Sequence, residues 1–137
     1  MRFLSMIRVQ EDPTRRPSER MMHEMGHLMQ ELTRAGKLIS TAGLMPTSQG
    51  VRMRNHHGKI TVTDGPFVET KEVVGGFAMF EAANMTEAVE LTRRFLEIHG
   101  DEFNVECELR ALAGPEFGAR GLDPAKMTAC GAQEQTA

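Results

Sequence analysis

The amino-acid sequence predicts a small α+β domain, one antiparallel sheet with two helices on a single face. Three observations predict it. Apolar runs of strand length alternate with two stretches at helical spacing, in the order β-α-β, inserted hairpin, β-α-β. The 137 residues suit one domain, and a chain of this size buries roughly two thirds of its unfolded surface. Two β-α-β units in so short a chain close into one sheet with both helices on one side. The other side is left bare, so a second copy is expected to close over it and form a homodimer.

Each element has a local reason. Phe3-Leu4-Ser5-Met6-Ile7-Arg8-Val9 is a compact apolar run that reads as the first strand, ended by Glu11-Asp12-Pro13. Pro17-Ser18 starts a helix whose stripe is Met21, Met25, Leu28, Met29 and Leu32, with Gly36 as its C-terminal glycine. Lys37 to Leu44 is the second strand, broken by Pro46-Thr47-Ser48-Gln49-Gly50. Val51 to Arg54 and Lys59 to Thr63 flank Asn55-His56-His57-Gly58 and read as a hairpin. Val73 to Glu81 is the next strand, with Gly75-Gly76 marking a bulge or a close backbone approach.

Asn84 and Glu87 have capping-box spacing and open a helix that runs to about Ile98 and ends at Gly100. Its inner face is Met85, Ala88, Leu91, Phe95 and Leu96. Asn104 to Leu112 is the last strand. Val105, Cys107, Leu109 and Ala111 suit contact with the helices, and Glu106, Glu108, Arg110 and Leu112 point to the bare face. Residues 1–113 form the domain. Residues 114–137 turn to Gly, Ala and Gln without periodicity and read as an extended or disordered tail.

Composition narrows the function classes. The formal charge is −3 with no basic stripe, which gives nucleic-acid phosphates little to hold. Cys107 and Cys130 make neither a disulfide framework nor a metal-type spacing. Met1 to Gln10 reads as a strand and not a signal peptide, and no apolar run reaches membrane-spanning length. A reducing cytoplasm is the expected location. Eleven Met and seven Phe, with no Trp or Tyr, must pack the core.

The chemistry-bearing groups cluster in two places. Asp64-Gly65-Pro66-Phe67 has the residues of a specialised turn, and Asp64 at its head is a candidate acid, base or ligand contact. Glu69, Lys71 and Glu72 follow it, either as a solvated charged loop or as a polar binding and proton-transfer cluster. Glu108 and Arg110 share the bare face of the last strand. They form an ion pair within the sheet, or a guanidinium clamp for an anionic substrate. At Gly76 the missing side chain also leaves room for a ligand. His56-His57 reads as a solvated turn, His99 as a partner of a helix C-terminus, Cys107 as buried and inert, and Arg52 and Arg54 as surface charge.

Val62-Thr63-Asp64-Gly65-Pro66-Phe67-Val68-Glu69-Thr70-Lys71-Glu72, with Gly75-Gly76-Phe77 after it, resembles the signature of the DGPF-motif, or YCII-related, family. Ala35-Gly36-Lys37-Leu38, Gly43-Leu44 and Glu106-Cys107-Glu108-Leu109-Arg110 extend the likeness over roughly residues 1 to 118. The resemblance implies ferredoxin-like βαββαβ protomers with the inserted hairpin, paired into a dimeric α+β barrel. For part of the family it implies catalysis by a His and an Asp at the barrel cleft. Here His23 and His27 project away from the apolar stripe, and residues 37–44 contain no acid to pair with them. For other members it implies an accessory role beside extracytoplasmic-function sigma factors.

The resulting expectation is a homodimer that binds a small polar molecule in the barrel cleft. Asp64, Lys71 and Glu72 are the catalytic candidates, and Glu69, Glu108, Arg110 and Gly76 the ligand-binding ones. Acid/base chemistry without metal or cofactor is the expected class, though the sequence does not decide whether the chain is an enzyme. The alternative is a non-enzymatic partner of a sigma factor. Direct nucleic-acid or membrane binding is not expected.

Overall fold

The structure is a computed structural model that describes residues 1–12, 14–68 and 70–114. The element order is β1 (Arg2–Val9), α1 (Glu19–Arg34), β2 (Leu38–Gly43), a 3-10 turn (Thr47–Gln49), β3 (Val51–His56), β4 (Lys59–Asp64), β5 (Val73–Glu81), α2 (Met85–His99) and β6 (Val105–Ala111). Four strands form one antiparallel sheet in the order β2-β5-β1-β6, and β3-β4 form a separate ribbon. Without the ribbon the chain is βαββαβ with the first and third of its strands central, which is the ferredoxin-like arrangement.

The local signals act as expected. The Ser18 hydroxyl accepts the Met21 N–H and starts α1. At its other end Lys37 N–H donates to Leu32 O and Gly36 N–H to Thr33 O, with Gly36 at φ 71°. That is the Schellman pattern, which needs a residue free to adopt positive φ. The β3-β4 turn is tighter than the expected four residues. His57 and Gly58 alone make it, both at positive φ, and Asn55 Oδ1 accepts the Gly58 N–H.

Asn84 Oδ1 accepts the Glu87 N–H, as a capping residue should, while Glu87 reaches back to the Ala83 N–H and also holds Lys37 Nζ at 2.9 Å. The Lys37 ammonium first, and then the Ala83 N–H, hold the Glu87 carboxyl below the usual glutamate range. A depressed folded-state pKa adds stability that is complete above the ordinary glutamate value and disappears as pH falls through the depressed one. Glu87→Gln is therefore expected to flatten the acid side of the urea-midpoint-versus-pH curve and to leave its shape near neutrality unchanged.

One face of the sheet carries the core. Phe3 and Phe80 stack with ring centroids 6.1 Å apart, and Ala82, Ala88, Ala78, Leu91 and Leu109 pack around them. Leu28 and Leu32 from α1, with Leu91 and Phe95 from α2, cover Ser5, Ile7, Ala78 and Phe80. Both helices thus sit on this face. Met21 is buried as the apolar stripe requires, whereas Met85, expected inside α2, is exposed in its first turn. Cys107 lies half-buried on the helix side, and burial pushes its thiol up in pKa, as expected of an inert cysteine. The His99 ring is buried, and its Nδ1–H donates to Phe95 O at 2.9 Å.

The register places Leu4, Met6 and Arg8 opposite Met79, Phe77 and Val74, and opposite Arg110, Glu108 and Glu106. These side chains share the helix-free face. The register of β1 with β5 slips between Ile7 and Arg8, with Gly75 as the extra residue, so the expected bulge is present. No helix among the described residues is long and apolar enough to cross a membrane. The tail expected at 114–137 lies, beyond Gly114, outside the described residues.

Candidate functional site

The site starts with a close approach of two backbone segments. β4 ends at Asp64, and the Gly65 N–H donates to Gly50 O at 2.9 Å. A Cβ on Gly65 would stand 1.7 Å from Thr47 O and 2.6 Å from Thr47 C, so only glycine fits. The next peptide, Gly65-Pro66, is cis. Thr47 then ties the turn to the end of β1. Its hydroxyl donates to Glu11 at 2.6 Å and accepts the Phe67 N–H at 3.3 Å, and its own N–H donates to the other Glu11 oxygen at 2.6 Å. The Thr47 hydroxyl first, then its N–H, hold the Glu11 carboxyl below the ordinary glutamate range.

Phe67 becomes a wall. The Arg52 guanidinium lies 4.0 Å above its ring centroid and donates to the Thr70 hydroxyl at 3.1 Å. A guanidinium over an aromatic face contributes about 0.5–1 kcal/mol at an exposed site. The base of the ribbon is thereby clipped to the loop that follows it.

The facing wall is the helix-free side of the sheet. Arg8 stands between two carboxylates, with Nε 3.8 Å from Glu72 Oε2 and Nη1 3.7 Å from Glu106 Oε1. Arg110 Nη1 is 4.0 Å from Glu108 Oε2. All of these groups are partly open to solvent, so each pair contributes about 0–1 kcal/mol to folding. Between the two walls lies a cavity of about 560 Å3. Arg8, Arg52, Glu72, Glu108 and Thr70 supply its polar lining, and Met6, Leu44, Met45, Phe67 and Val74 its apolar lining.

The expected site residues divide on this geometry. Glu72 and Glu108 line the cavity, and Arg110 borders it through Glu108. Lys71 lines a separate, smaller cavity of about 350 Å3 with Glu11, Phe67 and Val73. Asp64 is exposed at the end of the ribbon, opposite Val51, and is not part of the cavity wall. Gly76 is buried in the sheet. A Cβ there would meet Ala42 O at 2.8 Å, so neighbouring β2 fills the space that a ligand was expected to use. Glu69 lies outside the described residues. His23 and His27 are exposed, with their Nε2 atoms 3.1 Å apart.

Two residues of the cavity wall were not among the sequence candidates. Arg8 was read only as part of the apolar first strand, although its alternation with Leu4 and Met6 already put it on the bare face. Arg52 was assigned to surface charge, and only its contact with Phe67 and Thr70 shows its place in the wall.

A model of the YCII-related domain matches residues 1–99, from β1 to the end of α2. An uncharacterized protein of Rhizobium meliloti (strain 1021) is 35% identical over 97 residues, which is 71% of this chain and 78% of that protein. The family match spans the Gly65 turn and the Arg8–Glu72 side of the cavity, and on these two findings this chain belongs to the YCII-related domain family.

Proposed function

We propose that two copies of this chain meet through the helix-free face of the sheet and hold a small polar molecule in the cavity beside Phe67. The observation that carries this reading is the mixed lining of that cavity. Its volume of about 560 Å3 falls within the roughly 300–1,000 Å3 of small-molecule sites. Arg8 and Arg52 offer guanidinium forks to a carboxylate or phosphate, Glu72 and Glu108 accept from hydroxyl or amino groups, and Leu44, Met45 and Phe67 take an apolar portion. A molecule with an anionic end and a short apolar body uses all three.

The half-buried Leu4, Met6, Phe77 and Met79 at the centre of the bare face support pairing, because an apolar sheet face is stabilised by being covered. Arg110 and Glu108 then sit at the border between the copies. Any turnover in this site is acid/base chemistry, with Glu72 as the group that takes or gives the proton. Lys71 and Asp64 reach a ligand only across the Phe67 loop or from the second copy. The proposed setting is a reducing cytoplasm.

The test is a thermal-shift screen against small carboxylates, phosphates and polar metabolites, followed by calorimetry of hits on Glu72→Gln and Glu108→Gln. Both side chains are partly exposed, so both variants are expected to fold, and affinity is expected to fall about ten-fold for each lost charge-assisted hydrogen bond. Folded variants with wild-type affinity would place the ligand elsewhere. A sigma factor retained stoichiometrically from cell extract, with no small-molecule hit, would replace this reading with the accessory one.

A further inference from the structure

The outer side of α1 carries two histidines one helical turn apart. His23 and His27 have the i, i+4 spacing that puts two side chains on one face. Both are exposed and lie off the buried stripe of Met21, Leu28 and Leu32, so neither fills the core. Their rings turn toward each other, with centroids 4.5 Å apart and planes at 76°, and their Nε2 atoms are 3.1 Å apart. At that distance the two nitrogens share one proton, donated by one ring and accepted by the other. His23-Glu24-Met25-Gly26-His27 is also the His-Glu-x-x-His pattern, in which two histidines on one helix face hold zinc. So short a pattern arises by chance as well, and the geometry has to decide.

The geometry suits a metal ion. Zinc bonds an imidazole nitrogen at roughly 2.0–2.1 Å. An ion at that distance from both Nε2 atoms, themselves 3.1 Å apart, makes an N–metal–N angle of about 95–102°. This lies between the octahedral and tetrahedral angles, so both rings reach one ion without a change of backbone. His27 and Glu24 also line an open groove of about 700 Å3 between α1 and α2, which leaves room for further ligands. Among the described residues no group of three His, Cys, Asp or Glu is gathered to hold a metal. Two protein ligands therefore bind, and water fills the rest of the sphere. Glu24 does not stand free as the general base that the pattern supplies in metalloproteases. Arg20 Nη1 holds its Oε2 at 2.7 Å, and Arg20 is itself anchored to Glu102 and to Ile98 O. These features support binding of a metal and not hydrolysis at it.

We propose that His23 and His27 bind one divalent cation of the zinc type, each through Nε2, with water in the remaining positions. Imidazole favours zinc, copper and nickel over magnesium and calcium, which sets the class of ion. The metal replaces the proton that the two rings share and staples one turn of α1. The pair lies on a helix, on the side of the sheet away from the Phe67 cavity. It depends neither on the pairing of two copies nor on the ligand proposed above.

The experiment uses the full chain, stripped of metal and titrated with zinc against a chromophoric chelator. Wild type is compared with His23→Gln, His27→Gln and the control His56→Gln/His57→Gln. The replaced side chains are all exposed, and glutamine suits a helix, so all variants are expected to fold, as circular dichroism will show. One zinc per chain is expected in wild type and in the control. Each single variant at position 23 or 27 is expected to bind at least about ten-fold more weakly, because one of two protein ligands is gone. Imidazole nitrogen NMR is expected to show the Nε2 signals of both His23 and His27 shifting together with zinc. Wild-type affinity in either single variant would overturn the site. Binding lost in the control variant, or lost on blocking the thiols of Cys107 and Cys130, would overturn it too by placing the ion elsewhere. A wild type that binds zinc no better than the single variants would mean that the two rings serve only each other.

Discussion

Gly65→Ala is expected to lower the unfolding midpoint by about 10 °C and to abolish ligand binding, with the β2-β5-β1-β6 sheet still folded. The added methyl would lie 1.7 Å from Thr47 O and 2.6 Å from Thr47 C. Both are backbone atoms, so no rotamer change relieves the clash. Overpacking of this kind costs on the order of 3 kcal/mol, which in a domain of this size corresponds to about 10 °C. The 3-10 turn must move away from the Asp64–Phe67 turn, and the Thr47 bonds to Glu11 and Phe67 go with it. Phe67 then leaves its place under Arg52, and the cavity loses a wall. Differential scanning calorimetry gives the midpoint, and calorimetric titration of a screened ligand gives the binding. A variant that melts like wild type would mean that the 3-10 turn moves freely, and the wall would then not be preformed.

Arg8→Met is expected to leave the melting temperature within about 3 °C of wild type and to weaken binding of an anionic ligand about 10- to 100-fold. The stability effect is small because the Arg8 pairs with Glu72 and Glu106 are long and partly exposed. Met keeps an aliphatic stem of similar length in the wall that Arg8 and Met6 both line. The binding effect is large because Glu72 and Glu108 then line the cavity with Arg52 as its one remaining guanidinium, and the uncompensated carboxylates repel an incoming carboxylate or phosphate. A loss of up to 100-fold corresponds to about 2.7 kcal/mol, within reach of one charge-assisted hydrogen bond together with the repulsion. Tighter binding of a cationic ligand by the same variant would instead assign the cavity to cations. Lys71→Met serves as the neighbouring control, because Lys71 lines a different cavity.

The strands and helices were legible because each carried its own signal. Ser18, Gly36 and Asn84 mark helix ends through backbone hydrogen bonds that only a few residue types can make, and the structure uses all three. The alternation of Glu106, Glu108 and Arg110 with Cys107 and Leu109 fixed their face before any packing was known, and the register agrees. The site was legible only in part. Of the candidates that line the cavity, Glu108 was read from strand alternation onto the bare face and Glu72 from the charged stretch after the Asp64–Phe67 turn. Arg8 escaped notice because a single cation in an apolar run resembles a strand end.

Gly76 and Gly65 show a different limit. Each was singled out, but a missing side chain announces closeness without saying to what. For Gly76 the neighbour is Ala42 of β2, and for Gly65 it is the Thr47 backbone. The 3-10 turn at Thr47–Gln49 was read only as a break, since the bonds that give it purpose come from Glu11 and Phe67, which are 36 and 20 residues away in the chain. Such long-range partners leave no trace in local spacing.

The stacking of Arg52 on Phe67 also bears on how this molecule can be watched. With neither Trp nor Tyr in the sequence, the chain is almost dark to near-ultraviolet absorbance and intrinsic emission. An indole placed at Phe67 would be its sole bright chromophore, held between the ribbon's base and the cavity mouth. Quenching and spectral position would then follow occupancy and subunit exchange in real time, with no extrinsic dye.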